Sequence, residues 1–247
     1  MTEEEWMASD DPNAVLSGLK QLTRERKSIV SYRRSLLFSL ACYRKRIERS
    51  VAPLARSVAE ATDLFADGQD DYTPLYRLWQ EAEKAVRKAQ KNYEMVGDGW
   101  EVLAYSFVAK ILSVATPSIS REQRATRATE ALERVIGEVC KNAGEGQSGA
   151  QRKQAERVAA RLLARGLREV FGNPFRPIAF DAAWRTSDVM ALANGVYAER
   201  AFERMPILAD ALQDAGCDNA DILAHLRDET ATHVRGCWAL DLVVGKE

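Results

Sequence analysis

The chain has 247 residues, 46% apolar and 29% charged, which suffices for one large domain or two small ones with a true hydrophobic core. Its 35 Lys and Arg nearly cancel 36 Asp and Glu, so an affinity for nucleic acid could come only from a local patch. No run reaches the ~18–20 apolar residues of a membrane span, and the opening "MTEEEWMASDD" is acidic where a secretory leader is basic and then apolar.

The expectation is therefore a cytoplasmic protein with no membrane partner. Its four cysteines, Cys42, Cys140, Cys217 and Cys237, show no tight pairing and read as reduced thiols.

Helical periodicity runs from one end to the other. Thr2 and Glu5 fit a capping box for a short first helix carrying Trp6 and Met7. Asp11-Pro12 reads as a cap followed by proline at the first helical position, opening a second helix through Leu16 and Leu19. From about Arg24 to Arg49, Ile29, Tyr32, Leu36, Leu40, Tyr43 and Ile47 recur at steps of three and four, predicting one helix with a buried stripe. Pro53 opens the next helix, which ends near Asp67-Gly68.

A long helix is expected through Leu75, Leu78, Val86, Tyr93 and Val96, with Glu83 and Arg87 paired on its outer face. Gly97-Asp98-Gly99 breaks it. The following "WEVLAYSFVAKILSVA" is apolar almost all round and predicts a deeply buried helix, stopped by Thr116-Pro117. Ser120 with Gln123 caps a helix buried through Leu132, Val135, Ile136 and Val139. "NAGEGQSGA" clusters glycine and small polar residues, giving a division into an N-terminal helical region 1–143, a linker 144–150 and a C-terminal helical region 151–247.

Beyond the linker, Ala155, Val158, Leu162, Leu167 and Val170 define a further buried stripe, ended by Gly172. "NPFRP" then forces an extended passage. Short helices follow at roughly 187–201, 205–215, 219–228 and 232–244, the third capped by Asp218 or Asn219 and the last closed by Gly245. Only "RPIAF" offers a strand. The fold class is all-α: a multi-helix bundle with a C-terminal region of short packed helices.

Two sets of segments resemble a large uncharacterised bacterial family expanded in planctomycetes. One is "MTEEEW" followed by "DP" and the basic helix "LFSLACYRKR". The other is "NPFRP", Trp184, "VYAERAFERMPILADALQDAGCDNADILAHLR" and "HVRGCWALDLVVGKE". Family members often carry several cysteines in the basic helix and His-Cys after "DIL". Leu40, Tyr43 and Leu226 stand at those places here, so this chain lacks those sulfur ligands. The resemblance brings no established activity.

Both histidines fall in one short stretch with two cysteines: Cys217-x7-His225-x7-His233-x3-Cys237. A zinc site needs about four N, S or O ligands in a tetrahedron. His233 and Cys237 at i,i+4 on a helix would share a face. Cys217 and His225 would be separated by roughly 12 Å along a helix, too far for one ion. The surviving ligand set is His225, His233 and Cys237, with Asp228 or Glu229 as the fourth ligand. Packing is the simpler reading, with Cys237 and Trp238 in the core and His225 beside a helix C-terminus.

Two basic stripes could hold nucleic acid. One is on the helix 24–49, with Arg24, Arg26, Lys27, Arg33, Arg34, Arg44, Lys45, Arg46 and Arg49; the other is Arg157, Arg161, Arg165 and Arg168. A solvated or internally paired face is the simpler account of both. Tyr32 and Tyr43 fall in the apolar stripe and so read as buried rather than as base-stacking platforms. Phe175 and Trp184 read as pins that hold the proline-bounded turn onto the C-terminal helices.

No phosphate-binding glycine loop, nucleophile elbow or H-E-x-x-H is present. The chain thus reads as a non-enzymatic helical interaction or regulatory module with another protein as its partner and no cofactor. A small zinc-binding protein and a nucleic-acid binder through the helix 24–49 are the alternatives.

Overall fold

The computed structural model describes residues 1–26, 31–49, 53–68, 76–78, 80, 81, 84, 87, 88 and 121–246. Among them all regular structure is helical and no strand forms, as the sequence predicts. "RPIAF" forms no strand with any described residue. Its Ile178 and Phe180 pack against the C-terminal core instead, and Phe180 meets Trp184 edge-on at 5.2 Å.

The described residues form two compact units, Met1–Ile29 with Ala164–Glu247, and Val30–Leu163. The linker expected at 144–150 lies within the second unit, in the turn between two long helices.

In the first unit, helix α1 (Glu3–Ala8) begins with the expected capping box: Thr2 Oγ1 accepts from the Glu5 N–H at 3.2 Å, and the Glu5 carboxylate accepts from the Thr2 N–H at 2.8 Å. Helix α2 (Pro12–Arg26) starts where the Asp11 carboxylate accepts from the Asn13 N–H at 2.9 Å. Its extent corrects the expectation of one helix over 24–49. Helix α3 starts anew at Tyr32 and runs to Arg49, because Ser31 stands as its cap, Oγ accepting from the Arg34 N–H at 3.2 Å.

The second unit holds α3, α4 (Pro53–Ala66), α5 (Arg121–Asn142) and most of α6 (Gly149–Phe171), with α3 packed on α4 and α5. Leu36, Leu40, Tyr43, Leu132, Val135 and Ile136 are buried as predicted. Val158 and Leu162 are not: each is about half exposed, at 48% and 57%. The buried side of α6 is set instead by Leu163, Ala164, Leu167 and Val170. Of the helix expected through Leu75 to Val96, residues 76–78, 80, 81, 84, 87 and 88 are helical, and the rest lies outside the described residues. The segment 97–120, with its apolar helix and its breakers, lies outside the described residues.

The C-terminal helices of the first unit are α7 (Ser187–Glu199), α8 (Met205–Asp214), α9 (Ala220–Arg227) and α10 (Trp238–Val244). Asn219, one of the two candidates, caps α9 by accepting from the Ile222 N–H at 3.1 Å. Gly245 closes α10 in the left-handed conformation, φ 73°. Their shared core is formed by Val196, Leu208, Leu212, Ile222, Leu226 and Leu240, all fully buried. Full burial of one such side chain is worth about 1.5–3 kcal/mol.

The last helix starts six residues later than the expected 232–244. Residues 228–237 are irregular, and the reason is Gly236, whose φ of 93° no continuous right-handed helix can contain. His233 therefore sits in a loop, and its relation to Cys237 is set by turn geometry rather than by a helix face.

Candidate metal centre

Three chain segments of the first unit deliver four metal-ligating side chains to one point. Glu169 comes from the last turn of α6, His225 from the last turn of α9, and His233 and Cys237 both from the irregular loop 228–237 that leads into α10. One ligand atom from each lies within 4.8 Å of all the others.

The Glu169 carboxylate divides its oxygens between the rings. Oε2 is 3.2 Å from His225 Nε2, and Oε1 is 3.1 Å from His233 Nδ1. Cys237 Sγ is 3.2 Å from the same His225 Nε2 and 4.0 Å from the same His233 Nδ1. Zinc bonds of 2.0–2.3 Å arranged tetrahedrally imply donor–donor edges of roughly 3.3–3.8 Å, so the distances here bracket the required ones.

The choice of nitrogen is informative. In a nucleophile–base–acid relay an imidazole uses one nitrogen for the thiol and the other for the carboxylate. Here each histidine turns a single nitrogen toward both groups. That is convergence on a common centre, an arrangement that could hold a metal ion, and it does not form a proton-relay line.

Burial sets the electrostatics. Cys237 is fully buried and Glu169 is 6% exposed. Burial alone would raise the Glu169 carboxyl, but hydrogen bonds from His225 and His233, with their charge, outweigh it and hold the group below its ordinary value. Burial, reinforced by the neighbouring Glu169 charge, pushes the Cys237 thiol well above its ordinary value. A divalent cation held here would reverse that pressure, because a coordinating thiol is deprotonated outright.

Aromatic packing surrounds these side chains. The two imidazoles meet edge-on at 5.1 Å, and the Trp238 ring lies 4.9 Å from His225. Gly172, φ 67°, lets the chain leave α6 against that indole, since a Cβ there would stand 3.1 Å from Trp238 Cγ. His233 Nε2 is buried with no partner among the described residues.

Three of the four groups are those expected from the sequence: His225, His233 and Cys237. The fourth is not. Asp228, proposed from its nearness in sequence, accepts instead from the Thr230 N–H and hydroxyl at 2.9 and 2.6 Å, and Glu229 is exposed. Glu169, 56 or more residues away along the chain, takes the place that either was expected to fill. Its signal in the sequence is an acid in the last turn of a helix, against the macrodipole, beside Leu167, Val170 and Phe171. Cys217 is buried in the helical core and is not one of the converging groups. Cys42 belongs to the other unit, where burial pushes its thiol up to about 12.

Several candidate phosphate-binding arginines have internal acceptors. Arg33 donates to the Ala66 carbonyl at 2.8 Å, Arg44 pairs with the buried Asp63 at 2.9 Å, and Arg168 donates to the carbonyls of Trp6 and Ser9 at 2.8 and 2.9 Å. The side chains of Arg24, Arg26, Lys27, Lys45, Arg46 and Arg49 lie outside the described residues. Tyr43 is buried and Tyr32 meets Phe65 edge-on at 6.0 Å. Among the described residues, no helix is long and apolar enough to cross a membrane.

No protein-family model, no curated protein and no solved structure matches this chain.

Proposed function

We propose that this protein is a zinc-stabilised helical module, with the metal held by Glu169, His225, His233 and Cys237. The observation that carries the reading is the convergence of two single imidazole nitrogens, a thiol and a carboxylate within 4.8 Å at a buried point. The donor set supports the choice of metal: one sulfur, two imidazoles and one carboxylate suit zinc better than magnesium or calcium, which take oxygen. Four protein ligands make a closed site of the structural class, whereas a catalytic zinc keeps a position for water or substrate. The module therefore acts through its helical surface on another protein. The four free cysteines support a reducing, cytoplasmic setting. The resemblance to the uncharacterised bacterial family covers both ends of the chain, its C-terminal segments contain His225, His233 and Cys237, and it adds no activity.

Cobalt(II) titration of metal-stripped protein tests the reading. One equivalent should develop the visible and sulfur-to-metal bands of a tetrahedral thiolate site, and zinc should displace it. The Cys237→Ser variant should lose the sulfur band. Absence of any cobalt spectrum in correctly folded protein would sink the proposal.

A further inference from the structure

The groups that hold α1 and the groups that converge at Glu169 occupy adjoining positions on the chain. Arg168 and Glu169 are consecutive residues of the last turn of α6. Arg168 Nη1 donates to the Trp6 and Ser9 carbonyls at 2.8 and 2.9 Å, capping the C-terminal end of α1. Glu169 faces both histidines. Three residues on, Gly172 rests against Trp238, which directly follows Cys237 and packs on His225.

The next residues return to α1. Asn173 Nδ2 donates to the Glu3 carboxylate at 2.8 Å, the Arg176 guanidinium bonds the same carboxylate oxygen, and Phe175 lies 6.4 Å from the Trp6 ring. Trp6 is completely buried by this arrangement. Residues 168–176 thus hold the N-terminal helix with one set of side chains and the ligand cluster with another.

From this shared segment we infer that metal occupancy controls the docking of α1: the N-terminal helix is a latch, seated when the site is loaded and released when it is empty. The inference rests on the metal reading above. Its physical basis is the loop 228–237, which has no regular structure of its own and supplies His233 and ends at Cys237. Internal bonds there amount to short turns such as Ala231 N–H to Asp228 O at 3.0 Å and Cys237 N–H to Val234 O at 2.9 Å. An ion tying that loop to Glu169 fixes the end of α6. Loss of the ion removes the bonds that tie Cys237 and both histidines to Glu169 at one centre, leaving Glu169 only its hydrogen bonds to the two rings, so the last turn of α6 is held less firmly. Arg168, one residue away, then loses its aim at the two carbonyls. Because α1 has only six residues, it cannot persist without docking.

Hydrogen exchange on the full chain, zinc-loaded and after chelation, tests this, with metal content measured on the same samples. Chelation should speed exchange of the amides of residues 3–9 about tenfold or more, while α7 and α8 keep their protection. In the Arg168→Met variant zinc should still bind at one equivalent, but residues 3–9 should exchange fast with or without it. Unchanged protection of residues 3–9 in samples shown to have lost zinc would overturn the latch and leave the metal site standing. Equal loss of protection throughout α7 and α8 would also overturn it, since the ion would then be a general staple. A chain that never holds zinc would remove the metal reading and the latch together.

Discussion

Each histidine of the cluster presents one nitrogen to both the Glu169 carboxylate and the Cys237 sulfur, and that choice of atom argues for a ligand set over a catalytic relay. Glu169→Gln keeps the shape and one carbonyl acceptor but removes the charge. Losing a direct ligand should weaken zinc by more than the about 10–100-fold typical of an outer partner. Isothermal titration of stripped protein would read this, and unchanged affinity would remove Glu169 from the set. Gly172→Ala places a Cβ 3.1 Å from Trp238 Cγ at a φ of 67°. The left-handed backbone alone costs about 1–2 kcal/mol, so denaturant melts should show at least that loss, together with weaker metal binding as the indole is pushed toward His225. Three of these groups were legible because the chain has only two histidines, and His233 and Cys237 stand close together in sequence. Glu169 was hidden because its place in the site is set by packing between distant segments, which local spacing does not encode.

Elements followed local chemistry wherever a cap was decisive. Thr2, Asp11 and Asn219 start helices and Gly245 ends one, as their residue types dictate. The Asn219→Ala change should cost about 1 kcal/mol through loss of the α9 cap, and because α9 carries His225, it should also lower zinc affinity measured by competition with a chelating dye. The two misjudged boundaries have equally local causes: Ser31 starts a new helix within 24–49, and left-handed Gly236 delays α10 to Trp238. Hydrophobic period alone misses both, since it is blind to a cap inside a continuing stripe. Docking of α1 has its own pH signature. Hydrogen bonds from Asn173 and Arg176 hold the Glu3 carboxyl below its ordinary value. Its contribution is thus fully present above the ordinary carboxylate range and is lost as pH falls through the lowered value. Glu3→Gln should melt earlier than wild type near neutrality, and the two curves should converge in acid. A constant gap at all pH values would contradict this.

Across the whole molecule, the all-α class was legible from periodicity and from the scarcity of strand signals. The two compact units were not, because Met1–Ile29 joins Ala164–Glu247 across more than a hundred intervening residues. That closure brings "MTEEEW" and "NPFRP" together through Glu3, Trp6, Asn173 and Phe175. Ligand linkage would give a metal bound here a measurable weight: at a free concentration 100 times its Kd, an ion bound only by the folded chain adds about 2.7 kcal/mol. The most direct measurement is metal content by mass spectrometry on untagged protein purified without chelator, beside the His233→Ala variant, with melting followed in the presence and absence of chelator. One equivalent of zinc in wild type, none in the variant, and a melting temperature lowered by chelator are the expected results. No metal in either protein, with melting indifferent to chelator, would contradict the account and leave Glu169, His225, His233 and Cys237 as a packed hydrogen-bonded cluster.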